Sequence, residues 1–200
     1  MPGERQRLKS ACVFCGSSDA ADPAFLDAAR TLGAALAGAG IKLVYGGGGV
    51  GLMGAVARAA HQAGGEVLGV IPTFLVGKER ALETVEHVVV DNMHERKMLM
   101  FLRSDSFVIL PGGIGTLEEV VELLSWQRLG LHAKPVVFYN PRGFWEPLFK
   151  LFQHTVDENL TPPEFMDAWI SVESVEEIVP ALVDQGREAY PSEAAVGRRG

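Results

Sequence analysis

Three short apolar runs, residues 11–15, 41–45 and 106–110, each stop at a glycine-bearing turn and then give way to a helical pattern. That repeated order constrains the fold more than any other feature. Runs of five residues, apolar apart from Lys42 and Ser106 rather than alternating, suit strands buried on both faces. Strand, turn and helix in repetition imply parallel strands joined by right-handed crossovers.

The rest of the chain obeys the same grammar. Asp22 and Pro23 supply an N-cap and a first-turn proline for a helix to about residue 39, and Asp91 or Asn92 caps another over 93–103. Further helices are expected over 55–63, 117–129, 144–157 and 174–185, the last opened by the capping-box spacing of Ser174 and Glu177. Strands are expected over 66–71, 87–90, 134–139 and 169–172, with a loop and a short helical piece over 73–84. The fold class is therefore α/β, a Rossmann-like, doubly wound parallel sheet in three layers. One domain is expected over 11–185, with flexible ends at 1–10 and 186–200. In such sheets ligands bind outside the carboxyl ends of the strands, where the three glycine turns lie.

Composition removes several function classes. A net charge of −7 argues against general nucleic-acid binding, which rewards a basic face. No apolar run approaches the ~18 residues of a membrane span. Residues 1–10 are basic but lack the apolar core and cleavage site of a signal peptide, so a cytoplasmic protein is expected. Cys12 and Cys15 form a Cys-x-x-Cys, yet on a strand residues three apart face opposite ways, which suits two buried thiols rather than a redox or zinc pair. No histidine pair has metal-ligand spacing, and no metal site is expected.

The glycine turns differ in what they can hold. Residues 46–54 satisfy G-x-G-x-x-G, but the acid that should bind a dinucleotide ribose is missing from the end of the next strand, which closes on Ile71 and Pro72. Gly54 and Gly64 are read as clearance for helix packing. In residues 111–116, Pro111 stops the strand, three glycines permit close approach, and Thr116 adds a hydroxyl and a plausible N-cap. The helix that follows points unpaired N–H groups and its positive dipole end outward, which suits a phosphate. Glu118 and Glu119 come directly after. Acids in a first helical turn commonly serve the dipole alone; glycine loop, hydroxyl, acid and the preceding Arg96-Lys97 pair together point to a site.

Pro111-Gly-Gly-Ile-Gly-Thr-Leu-Glu-Glu119 matches P-G-G-x-G-T-x-x-E, and Met93-His-Glu-Arg-Lys97 matches M-H-x-R-K. With Val13-Phe-Cys-Gly-Ser-Ser18 and Tyr45-Gly-Gly-Gly-Gly-Val-Gly-Leu-Met-Gly54, the chain resembles the LOG ("Lonely Guy") family of cytokinin-activating nucleoside 5′-monophosphate phosphoribohydrolases from near its start to about residue 180. The resemblance implies Arg96 and Glu119 as the catalytic pair. It implies substrate contacts from Gly112, Gly113, Ile114, Gly115 and Thr116, from Lys97, Ser125 and Glu79, and from Gly16, Ser17, Gly47 and Gly48. It implies no cofactor, a homodimer, and a nucleoside monophosphate as the small-molecule partner, with no nucleic acid or membrane.

Family members are often labelled lysine decarboxylases, a reaction that needs a Schiff-base lysine and a partner for a pyridine nitrogen. No lysine here is a candidate, since Lys97 sits beside Arg96 in the expected site. The expected reaction is hydrolysis of the N-glycosidic bond of AMP or an N6-modified adenosine 5′-monophosphate. A nucleotide or molybdenum-cofactor carrier on the same fold is the rival; a carrier needs the glycine cradle but not the acid.

Overall fold

The computed structural model describes residues 8–77 and 80–189. Glu79 and, of the expected flexible ends at 1–10 and 186–200, residues 1–7 and 190–200 lie outside the described residues; Ser10 already belongs to a strand, and the last helix runs on to Ala189, past the expected limit at 185. In chain order the elements are β1 (Ser10–Phe14), α1 (Pro23–Gly38), β2 (Lys42–Tyr45), α2 (Gly51–Gln62), β3 (Val67–Pro72), β4 (Glu86–Val90), α3 (Met93–Leu102), β5 (Ser106–Ile109), α4 (Ile114–Arg128), β6 (Val136–Tyr139), α5 (Glu146–Asp157), β7 (Ile170–Val172) and α6 (Ile178–Ala189). The strands form one parallel sheet in the order β4-β3-β2-β1-β5-β6-β7. The chain winds outward from β1 to β4, α3 carries it back, and β5 starts on the other side of β1. The order therefore reverses between β1 and β5, where a ligand crevice is expected.

Two apolar layers cover the sheet. Ala11, Val13 and Cys15 pack with α1, α2 and α6, whereas Cys12 and Phe14 pack with α3, α4 and α5. Both cysteines are free and buried, on opposite faces as the strand periodicity requires. Burial pushes both thiols up. Among the described residues no cluster could hold a metal ion, and no helix is long and apolar enough to cross a membrane.

Local chemistry sets most boundaries. Asp22 Oδ1 accepts from Ala24 N at 2.9 Å, Asn92 Oδ1 accepts from Glu95 N at 3.0 Å, and Ser174 and Glu177 form the reciprocal capping box. Two helices start earlier than the sequence reading has them. α2 begins at Gly51 rather than 55, and α4 at Ile114 rather than 117. Glycine is a poor helix former, so propensity delays both starts; tertiary contacts supply what propensity withholds. Thr116 is consequently not the N-cap. Gly113 is, without a side-chain cap, and Thr116 is buried in the first turn. Gly64 differs too: at φ +79° it ends α2 in the left-handed region, while the tight clearance falls to Gly65, whose Cβ would lie 2.6 Å from that of Ala37.

Candidate active site

The site is built where β1 and β5 end side by side. Leu110 N donates to Phe14 O at 3.0 Å, and Gly16 N donates to Pro111 O at 3.0 Å, so ladder pairing continues past both strands. A Cβ on Gly16 would stand 3.4 Å from Gly112 Cα. The loop then turns over Thr116: a Cβ on Gly112 would come within 2.1 Å of Thr116 Oγ1, so glycine is what lets the backbone fold onto the hydroxyl. Gly113, Ile114 and Gly115 are exposed, and no neighbour lies within 4 Å of a Cβ built at Gly113 or Gly115. The first N–H groups of the fifteen-residue α4 have no intrahelical acceptor and open to solvent beside the switch point.

Arg96 approaches from the other side of β1. It lies in the first turn of α3, after β4, only 6% exposed. Its Nη2 donates to Gly46 O at 2.9 Å and its Nε to Val70 O at 3.2 Å, so the guanidinium bridges the ends of β2 and β3. A Cβ on Gly46 would lie 2.0 Å from Nη2, which explains the first glycine of that loop by clearance. Glu119 is half-buried in the second turn of α4. Burial raises the Cys15 thiol most; the Glu119 carboxylate raises it further, and the Arg96 guanidinium opposes that rise. The same two charges act on the Cys12 thiol, so both are felt within β1.

Lys97, next to Arg96, turns toward α4. Its Nζ is 2.8 Å from Glu122 Oε2 and is also bonded to Glu118 Oε1. Burial pulls this lysine down, but the two carboxylates outweigh it and hold the ammonium above its ordinary range.

The other expected contacts divide. Gly16 and the exposed Ser17 border the cradle. Gly47 and Gly48 are buried, with Gly47 O 3.2 Å from His87 Nε2. Ser125 is not brought to the cradle: eleven residues beyond Ile114, it lies roughly 16 Å further along α4 at 1.5 Å per residue. Sequence reasoning did not anticipate the approach of Arg96 to Gly46, the pairing of Lys97 with Glu118 and Glu122, or the role of Asp19. Asp19 Oδ1 accepts from Gly51 N at 3.1 Å and its Oδ2 accepts from Arg80 Nη2 at 2.9 Å, tying three loops together. Only the i, i+4 spacing of Glu118 and Glu122 could have signalled the pairing of Lys97.

Fold and site together define a Rossmann-like α/β protein whose α4 begins, exposed to solvent, at the switch point of the sheet. The family model described as "Possible lysine decarboxylase" matches residues 53–182. The chain is 47% identical over 188 residues, 94% of its length and 81% of the relative's, to the "Probable cytokinin riboside 5'-monophosphate phosphoribohydrolase LOGL9" of Oryza sativa subsp. japonica. It is 44% identical to the "Cytokinin riboside 5'-monophosphate phosphoribohydrolase LOG5" of Arabidopsis thaliana, over 93% of this chain and 80% of that one. The chain belongs to this LOG family of phosphoribohydrolases. A solved molybdenum cofactor binding protein from Rippkaea orientalis has the same fold, with TM-score 0.65 and 25% identity over 88% of this chain and 95% of that one. The family model's description does not give the reaction: the relatives matched are named phosphoribohydrolases, and the chain is not a lysine decarboxylase.

Proposed function

We propose that the protein hydrolyses the N-glycosidic bond of AMP or of N6-modified adenosine 5′-monophosphates, the cytokinin nucleotides, to free base and ribose 5-phosphate. Support comes above all from Arg96 and Glu119 both exerting their charge on β1, beside the solvent-exposed start of α4. The backbone of Gly112, Gly113, Ile114, Gly115 and Thr116 holds the 5′-phosphate, helped by Gly16 and Ser17. Binding energy from this remote group then fixes C1′ in the crevice.

As the bond breaks, positive charge develops on the ribose. The Glu119 carboxylate stabilises that charge and orients the attacking water. Water supplies hydroxyl to C1′ and, overall, a proton to the departing base. Arg96 is no proton donor, because a guanidinium stays protonated above pH ~12. Held by two backbone carbonyls, it positions the substrate and balances Glu119. A carrier would need the cradle but not this acid, which favours an enzyme. The family also implies contacts from Gly47, Gly48 and Glu79, and from Ser125 with a part of the substrate remote from the phosphate.

We further assign the protein to the cytoplasm, consistent with its free thiols, and to a homodimer. The outer faces of α3 and α4 leave Met98, Leu102 and Val121 45%, 66% and 45% exposed, an apolar surface suited to a twofold partner. Sedimentation tests the assembly; a monomer overturns it.

The reaction is tested by incubating the protein with AMP, isopentenyladenosine monophosphate and their nucleosides and separating the bases. Free base from the monophosphates only is the expected outcome. Glu119→Gln should lower the rate at least tenfold, ~1.4 kcal/mol or more of barrier. Equal catalytic efficiency on nucleosides would defeat the phosphate cradle, and unchanged turnover in the variant would defeat Glu119.

A further inference from the structure

Family resemblance makes Lys97 a substrate contact, yet its surroundings give it other work. It is 9% exposed, and its ammonium lies between Glu118 and Glu122, one turn apart on α4. Its chain neighbour is Arg96, and the chain neighbour of Glu118 is Glu119. One ion-paired cluster therefore joins α3 to α4 at the positions adjoining the two residues assigned to catalysis.

We infer that Lys97 is a positioning residue: it fixes α3 against α4 and so sets the separation of Arg96 from Glu119. This rests on the reaction proposed above. The charge arithmetic agrees. A single ammonium facing two carboxylates has its positive charge already balanced within the protein, whereas a lysine serving a phosphate dianion would keep that charge for the ligand. Arg96 instead donates to the neutral carbonyls of Gly46 and Val70 at the strand ends. Adjacent residues of one helix thus divide the labour, one facing the substrate and one facing the neighbouring helix.

The test separates kcat from KM. With AMP as substrate, Lys97→Met should lower kcat at least tenfold and leave KM and ribose 5-phosphate affinity within about twofold. The double variant Glu118→Gln/Glu122→Gln should do the same, because it removes the cluster from the other helix. Combining all three changes should add little, and Lys97→Arg should restore part of kcat. Where Lys97→Met does not fold, the near-isosteric double glutamine variant and Lys97→Arg decide. A Lys97→Met protein with normal kcat but raised KM and weaker ribose 5-phosphate binding overturns the positioning role. So does a double glutamine variant that binds AMP more tightly with kcat unchanged, since that lysine would then have been freed for phosphate. Wild-type protein that releases no base from any monophosphate overturns the reaction itself, an outcome distinct from these.

Discussion

Two glycine loops at the same edge of the sheet lead into helices, and they differ in who occupies the helix terminus. At α2 the chain fills its own donors: Asp19 Oδ1 accepts from Gly51 N at 3.1 Å, and Gly16 O accepts from Leu52 N at 3.0 Å and Met53 N at 3.4 Å. At α4 the corresponding donors open to solvent at Gly113, Ile114 and Gly115. Both loops carry glycines and both point a helix dipole at the crevice. Only one of them is available to an anion. A glycine fingerprint is therefore a statement about backbone clearance, and whether the cleared space admits a ligand or another loop is a separate matter. The G-x-G-x-x-G match at Gly46, Gly48 and Gly51 belongs to the second kind.

The sharpest way to test that contrast is to put a methyl group on each loop. Gly51 lies at φ +57°, and a Cβ there would stand 2.5 Å from Ser17 C, a backbone atom. Gly51→Ala should cost about 3 kcal/mol, combining left-handed strain with overpacking, measured by urea denaturation. Material that still folds should keep its KM for AMP; a stability loss under about 1 kcal/mol would mean that the closed loop is not closed.

A smaller effect is expected from removing the residue that closes it. Asp19→Ala should lose about 1 kcal/mol, since it takes away a backbone cap and an exposed ion pair of little worth. Calorimetry with inorganic phosphate then tells whether the freed α2 terminus is a latent site. A second bound phosphate would break the comparison, showing occupancy by Asp19 to be the whole difference between the loops.

The least effect on stability belongs to the open loop. Gly113 has φ −99°, a conformation alanine adopts, and its Cβ would meet nothing within 4 Å. Gly113→Ala should change stability by less than about 1 kcal/mol. Because the methyl group would stand where the phosphate enters, the KM for AMP should rise about fivefold, ~1 kcal/mol. An unaltered KM would remove Gly113 from the cradle.

The layered parallel sheet was legible in the sequence because its signals are local. Apolar runs of strand length, Asp22 before Pro23, Asn92 before α3 and the Ser174–Glu177 box each act within a few residues, where side-chain type and backbone preference decide together. The glycine loop at 111–116, Arg96 and Glu119 stood out as motifs, and topology explains why they share one edge of the sheet: helices that follow parallel strands all begin at the same edge. Late starts for α2 and α4, and the reading of Thr116 as a cap, came from glycine's poor propensity, a local rule that tertiary contacts override.

What only the tertiary structure decided is which partner each polar group takes. Asp19 meets Gly51 across 32 positions, Lys97 meets Glu118 across 21, and Arg96 reaches Gly46 across 50. Nothing in residue type distinguishes Arg96, which turns to backbone carbonyls at the strand ends, from Lys97, which turns to carboxylates on α4. Successive residues on a helix point about 100° apart, so their fates separate only once a sheet edge lies on one side and a second helix on the other.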